Sequence, residues 1–139
     1  MLVEPWAFCC MASEAGGGDL TVVFVCQHGA LRSRLAAAFF NVAGPAGWHA
    51  VSVGIQPQGA VSEAATRLLK GTEAETLLDT TPPRPLDAVP GRNRIVAIDC
   101  EVAGAERWDL MSQEVDFRMR DELRQRVQAL ARDIRRHLP

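Results

Sequence analysis

Apolar residues along the chain fall into two kinds of run. Leu20 to Val25 reads Leu-Thr-Val-Val-Phe-Val, apolar at almost every position rather than alternating. That pattern predicts a strand covered on both faces of a parallel sheet, and with it flanking helices. From Arg32 to Val42 the chain turns to helix formers, Arg-Leu-Ala-Ala-Ala-Phe-Phe, and stops before Gly44-Pro45. A second strand is predicted at His49 to Val53, and a second helix from Ser62 to Lys70, closed by Gly71. Pro82, Pro83, Pro85 and Pro90 mark a loop with one helical turn. Arg94 to Asp99 reads as a third strand and Glu106 to Leu110 as a short fourth. In the last segment Met119, Leu123, Val127, Leu130, Ile134 and Leu138 recur at steps of three and four, with arginines and acids interleaved. This is an amphipathic helix. Strands alternating with helices predict an α/β fold, a single domain with a four-stranded parallel sheet and right-handed crossovers.

The 139 residues suit one domain, and 47% hydrophobic residues supply a core. Residues 1–19 end in Glu14-Ala-Gly-Gly-Gly-Asp19 and read as a flexible N-terminal leader ahead of a domain at 20–139. A net charge of −2 offers no broad positive field, so nucleic acid is not an expected partner. No run approaches a membrane span and no signal peptide is evident, which predicts a soluble, cytoplasmic protein with no membrane partner. Cys9, Cys10, Cys26 and Cys100 are then expected as reduced thiols.

One of these thiols sits in a telling place. Between the first strand and the first helix lies Cys26-Gln27-His28-Gly29-Ala30-Leu31-Arg32-Ser33, at the carboxyl end of a strand, where open α/β sheets gather ligands. A loop of this length before a helix can turn the N–H groups of Gln27 to Arg32 inward as a nest for an anion. Arg32 adds a planar fork that clamps two oxygens and stabilises charge in a transition state. The helix terminus, Arg32 and the Ser33 hydroxyl favour a nucleophilic thiolate at Cys26. Gly29 suits a left-handed turn. With four cysteines and fourteen arginines the bare spacing arises by chance in roughly a third of such sequences, so the strand–loop–helix context carries the reading.

At these residues the chain resembles the low molecular weight protein tyrosine phosphatase family and its arsenate reductase branch. The resemblance runs through Val23-Phe-Val-Cys26, Arg32-Ser33 with Ala36, Ala38 and Phe39, then Gly47-Trp48-His49-Ala-Val-Ser52, Gly54 and Pro57. His28 and the closing segment Phe117 to Val127 resemble the reductase branch more closely. The resemblance implies a thiolate-based phosphatase working through a cysteinyl-phosphate intermediate, with Cys26, Arg32 and Ser33 catalytic, Ser52 buttressing the loop, and neither metal nor other cofactor. Its partners would be phosphate, arsenate or a phosphorylated substrate. The alternatives are a single-cysteine arsenate reductase using an external thiol reductant, and a weakened oxyanion- or partner-binding module.

The chain departs from the family in four places. The Asp-Pro pair that supplies the general acid is replaced by Ser112-Gln113, the loop tyrosine is absent, the loop asparagine is replaced by Gly29, and only Cys100 stands near the third strand. Asp109 and Asp116 are the nearest carboxylates for the acid, against plainer readings as a strand end and a helix cap. Trp108 reads as a core residue or a pocket wall, and Cys100 as a core thiol or a trap for a Cys26 intermediate.

Overall fold

The computed structural model describes residues 20–138. The expected leader, with Cys9 and Cys10, lies outside the described residues. The elements run β1 (Leu20–Cys26), α1 (Arg32–Ala43), β2 (Trp48–Gly54), α2 (Glu63–Leu69), β3 (Arg94–Ile98), β4 (Glu106–Trp108) and α3 (Phe117–Arg136), with single 3-10 turns at Glu75–Leu77 and Leu86–Ala88. The strands form one parallel sheet in the order β2-β1-β3-β4. β1 is buried from Thr21 to Cys26, as its nearly continuous apolar run requires.

The chain leaves β1 toward β2 on one side and returns past it to β3 on the other, so the carboxyl ends of β1 and β3 flank a topological switch point. The register sets Phe24 beside Ser52 and Cys26 beside Gly54. Side chains two residues apart on a strand share a face, so Cys26, Phe24 and Ser52 all look toward the helices.

On that face α1, α2 and α3 join one core with Val22, Phe24, Val96, Ile98 and Trp108. On the other face Val23, Val25, Val53 and Ala97 are covered, among the described residues, by Leu86, Val89, Cys100 and Val102, without an α-helix. Proline disfavours an α-helix there: its ring and missing N–H keep the segment around Pro82 to Pro90 out of a regular helix, and it forms an irregular strap with one 3-10 turn at Leu86–Ala88. β4 stops at Trp108, and Leu138, expected on the apolar stripe of α3, lies past the helix end and is exposed. No helix among the described residues is long and apolar enough to cross a membrane.

Candidate functional site

The segment between β1 and α1 is best understood from its backbone. Every carbonyl from Cys26 to Leu31 has a donor behind the loop. Cys26, Gln27, His28 and Ala30 accept from the N–H groups of Ile55, Gln56, Gln58 and Ser62, and Leu31 from that of Leu35. Gly29 accepts instead from a side chain, the Nε of Arg34, at 2.8 Å. In a trans peptide the N–H points opposite to the C=O. Among the described residues, none of the N–H groups from Gln27 to Ser33 donates to a protein acceptor. The loop therefore presents a row of donors to the side away from the β2–α2 connection.

Helix capping sharpens the point. α2 and α3 begin with side-chain caps, Ser62 accepting from Ala64 N–H and Asp116 from those of Arg118 and Met119. α1 has no side-chain cap and no acid in its first turn. Its first N–H groups and positive end are therefore without a side-chain partner among the described residues.

Two glycines make this path possible. Gly29 has φ +66°, and a Cβ built there would meet Gly54 N at 2.7 Å; one on Gly54 would meet the His28 carbonyl carbon at 2.5 Å. Gly29→Ala is expected to cost about 2 kcal/mol, from the left-handed conformation and the clash together. It should also weaken phosphate binding about tenfold, read by thermal unfolding and phosphate titration.

Cys26 closes the base of the loop, buried, with its Sγ 3.0 Å from Ser33 Oγ. Ser33 Oγ lies 2.6 Å from Ser52 Oγ, which is 3.5 Å from the Gly29 carbonyl. A chain of hydroxyls thus runs from the β2 strand to the sulfur, and Ser52 stands where the resemblance placed it.

The cleft in front has a volume of about 250 Å³ and is lined by Cys26, Gln27, His28, Ala30, Leu31, Arg32, Gln58, Ser62, Ile98 and Asp99. His28 and Gln27 are exposed at its rim, and Gln27 donates to Gln56. Arg32 leans across the mouth, donating from Nη2 to the Gln113 carbonyl at 3.0 Å, with its Nε 3.8 Å from Asp99 Oδ2.

The carboxylate at this cleft is one that the pattern of strands and motifs passed over. Asp109 is tied to exposed Arg107 at 2.8 Å, Asp116 caps α3, and neither lines the cleft. Asp99 does. It follows β3 at the switch point with φ +52°, a left-handed conformation that aspartate tolerates better than most residues, and its Oδ1 accepts from Leu110 N–H at 2.9 Å. Its place at the carboxyl end of the strand next to β1 is the signal that would have found it.

The loop after β4 is shaped by Glu122. Burial works against this carboxylate, yet the N–H groups of Met111 and Ser112, with Arg126, hold it below the usual glutamate range. Ser112, at the family's acid position, thus donates its N–H away into the fold. Trp108 is buried, tilted against Phe24 at 5.7 Å between ring centroids, and forms no part of the cleft. Cys100 is buried with its Sγ toward the Val25 carbonyl, in the core of the opposite sheet face from Cys26, and burial followed by the charge at Cys26 pushes its thiol up. His49 contacts Thr21 and His137 the backbone of Asp133, both outside the cleft lining.

No family model and no curated protein sequence matches the chain. Solved structures do. An arsenate reductase from Archaeoglobus fulgidus is 31% identical over 79% of this chain and 98% of its own, with a TM-score of 0.62. A thioredoxin-dependent arsenate reductase from Corynebacterium glutamicum is 19% identical over 89% of this chain and 66% of its own, with a TM-score of 0.70. A low molecular weight protein tyrosine phosphatase from T. tengcongensis is 18% identical over 86% of this chain and all of its own (100%), with a TM-score of 0.60. The last two similarities concern the fold alone.

Proposed function

Because the chain belongs to the low molecular weight protein tyrosine phosphatase and arsenate reductase family, we propose that it is a thiolate-based phosphomonoesterase acting through a cysteinyl-phosphate intermediate. The observation that carries this reading is the row of undonated N–H groups from Gln27 to Ser33, on a loop that lines one cleft with Cys26. A tetrahedral oxyanion seated on them, and on the fork of Arg32 drawn off Gln113, has its central atom facing Cys26.

The thiolate attacks phosphorus opposite the ester oxygen, the P–O bond breaks, and the leaving oxygen takes a proton from Asp99. In the second half Asp99, now ionised, takes a proton from water as that water attacks the phosphocysteine. Inorganic phosphate and the thiolate are released. Ser33 donates to the sulfur whenever it carries charge. Among the described residues the cleft lining carries no Phe, Tyr or Trp, and its one aromatic ring is the His28 imidazole at the rim, which favours small or aliphatic phosphate esters over substrates held between large rings. Unpaired Cys26 and Cys100 suit a reducing compartment such as the cytoplasm.

Arsenate reduction is the second reading, motivated by the 31% identical relative named as an arsenate reductase. Here Cys26 displaces hydroxide from arsenate, and an external thiol then attacks the Cys26 sulfur. The As–S bond electrons stay with arsenic, so arsenite leaves and a mixed disulfide forms, which a second thiol reduces. Cys100, packed on the far face of the sheet, is not placed to attack the Cys26 sulfur.

Steady hydrolysis of a small aryl phosphate supports the first reading. Arsenate-dependent consumption of glutathione, mycothiol or thioredoxin without ester hydrolysis shifts the assignment to the second. Phosphate binding with neither activity would leave an oxyanion-binding module.

A further inference from the structure

We propose that Arg34 is a positioning residue that braces the anion loop from behind and, through the Gly29 carbonyl, directs the hydroxyl chain toward Cys26; this rests on the oxyanion chemistry proposed above. Arg34 is 1% exposed, and a buried guanidinium is costly to keep. Burial holds it below the ordinary arginine range, with Asp79 pulling the other way, and its Nη2 has no partner among the described residues. An apolar side chain of similar length would fill this space at lower cost. The value of the arginine lies in what its other nitrogens hold.

Nε donates to the Gly29 carbonyl at 2.8 Å, and Nη1 to the Asp79 carbonyl at 2.6 Å, with an Asp79 carboxylate oxygen 3.7 Å away. Arg84 Nη2 holds the Asp79 carboxylate at 3.0 Å, and the Arg84 carbonyl accepts from Gly54 N–H at 2.9 Å. Gly54 is the residue on which Gly29 is stacked. The circuit links loop, helix, proline-rich strap and second strand, and returns to the loop.

Proton accounting shows what the brace does. Gly29 is the loop residue whose carbonyl receives no backbone N–H. Ser52 lies within 3.5 Å of that carbonyl but 2.6 Å from Ser33, and a hydroxyl has one proton to give. With Arg34 on Gly29, the proton of Ser52 goes to Ser33, and that of Ser33 to the Cys26 thiolate. Without Arg34, Ser52 must turn to Gly29, because a buried carbonyl left bare is costly. Ser33 then donates to Ser52, and the sulfur loses its donor.

The test is calorimetric titration of inorganic phosphate into wild type, Arg34→Met and Arg34→Gln, each checked for folding by thermal unfolding. Glutamine places an amide nitrogen at the side-chain position of the arginine Nε, a donor without charge; methionine fills the space with none. Arg34→Met is expected to bind phosphate about tenfold more weakly, and Arg34→Gln within about threefold of wild type. A folded Arg34→Met that binds like wild type, or an Arg34→Gln no better than Arg34→Met, overturns the role. If Arg34→Met fails to fold, Arg34→Gln decides alone: binding within threefold supports the brace, and a tenfold loss removes it. Failure of wild type to bind phosphate overturns the oxyanion reading and the brace together, whereas binding that neither variant disturbs overturns the brace only.

Discussion

Cys26→Ser is expected to lower aryl phosphate turnover by about 10⁵-fold or more, the scale on which loss of a nucleophile acts, while phosphate still binds. Serine is close in shape to cysteine and can keep its place beside Ser33, 3.0 Å away. The carbonyl pattern that turns the loop N–H groups outward owes nothing to the sulfur, since its donors are Ile55, Gln56, Gln58, Ser62, Leu35 and Arg34. Removing the thiolate also removes a negative charge from the floor of an anion site. Phosphate affinity should therefore hold or rise as turnover vanishes. Single-turnover quench with a labelled ester should find phosphoenzyme on wild type and none on the variant. Comparable turnover in both proteins would take the nucleophile away from Cys26.

Asp99→Asn is expected to produce the second largest effect, and one that depends on the leaving group. A general acid is worth about 10²- to 10⁴-fold where the departing oxygen needs a proton, and little where it leaves as a stable phenolate. Turnover of an alkyl or unsubstituted phenyl phosphate should fall by that range, and that of p-nitrophenyl phosphate by about tenfold or less. The contrast isolates proton transfer from structure. Asparagine tolerates the left-handed backbone at φ +52°, and its oxygen can go on accepting from Leu110 N–H, the bond that Asp99 makes at 2.9 Å. An equal fall for every ester would show that Asp99 acts by holding the β4 loop and Arg32, not by giving a proton.

Legibility in the sequence followed the range of the interaction. The nearly continuous apolar run at Leu20 to Val25 announced a strand buried on both faces, and β1 is buried from Thr21 onward. The three-and-four spacing from Met119 to Ile134 announced the face of α3 that is buried. That Cys26, Arg32 and Ser33 lie close together was legible for the same reason, since they are neighbours on one short segment between two strongly patterned elements, and proximity in sequence forces proximity in space.

Contacts between distant segments were not legible. Asp99 is 67 residues from Arg32 along the chain and came to the cleft because β3 pairs with β1 at the switch point. Asp109 and Asp116 were nearer to the position where the family keeps its acid, yet local partners claimed them first, Arg107 for one and the α3 N-terminus for the other. Arg34 looked like an ordinary helix residue, because nothing local says that position 34 faces inward beneath a loop and a proline-rich strap.

The chain pattern alone thus settled the order of strands and helices along the chain, the parallel sheet and the place of the Cys26 loop after the first strand. Periodicity and local backbone preferences act over a few residues and are written into them. Which carboxylate stands at the cleft, which arginine reaches the loop from behind and which face of the sheet packs against α1, α2 and α3 were decided by the tertiary structure. Those outcomes depend on strand order and packing, where residues far apart compete for the same partners and the winner is set by geometry.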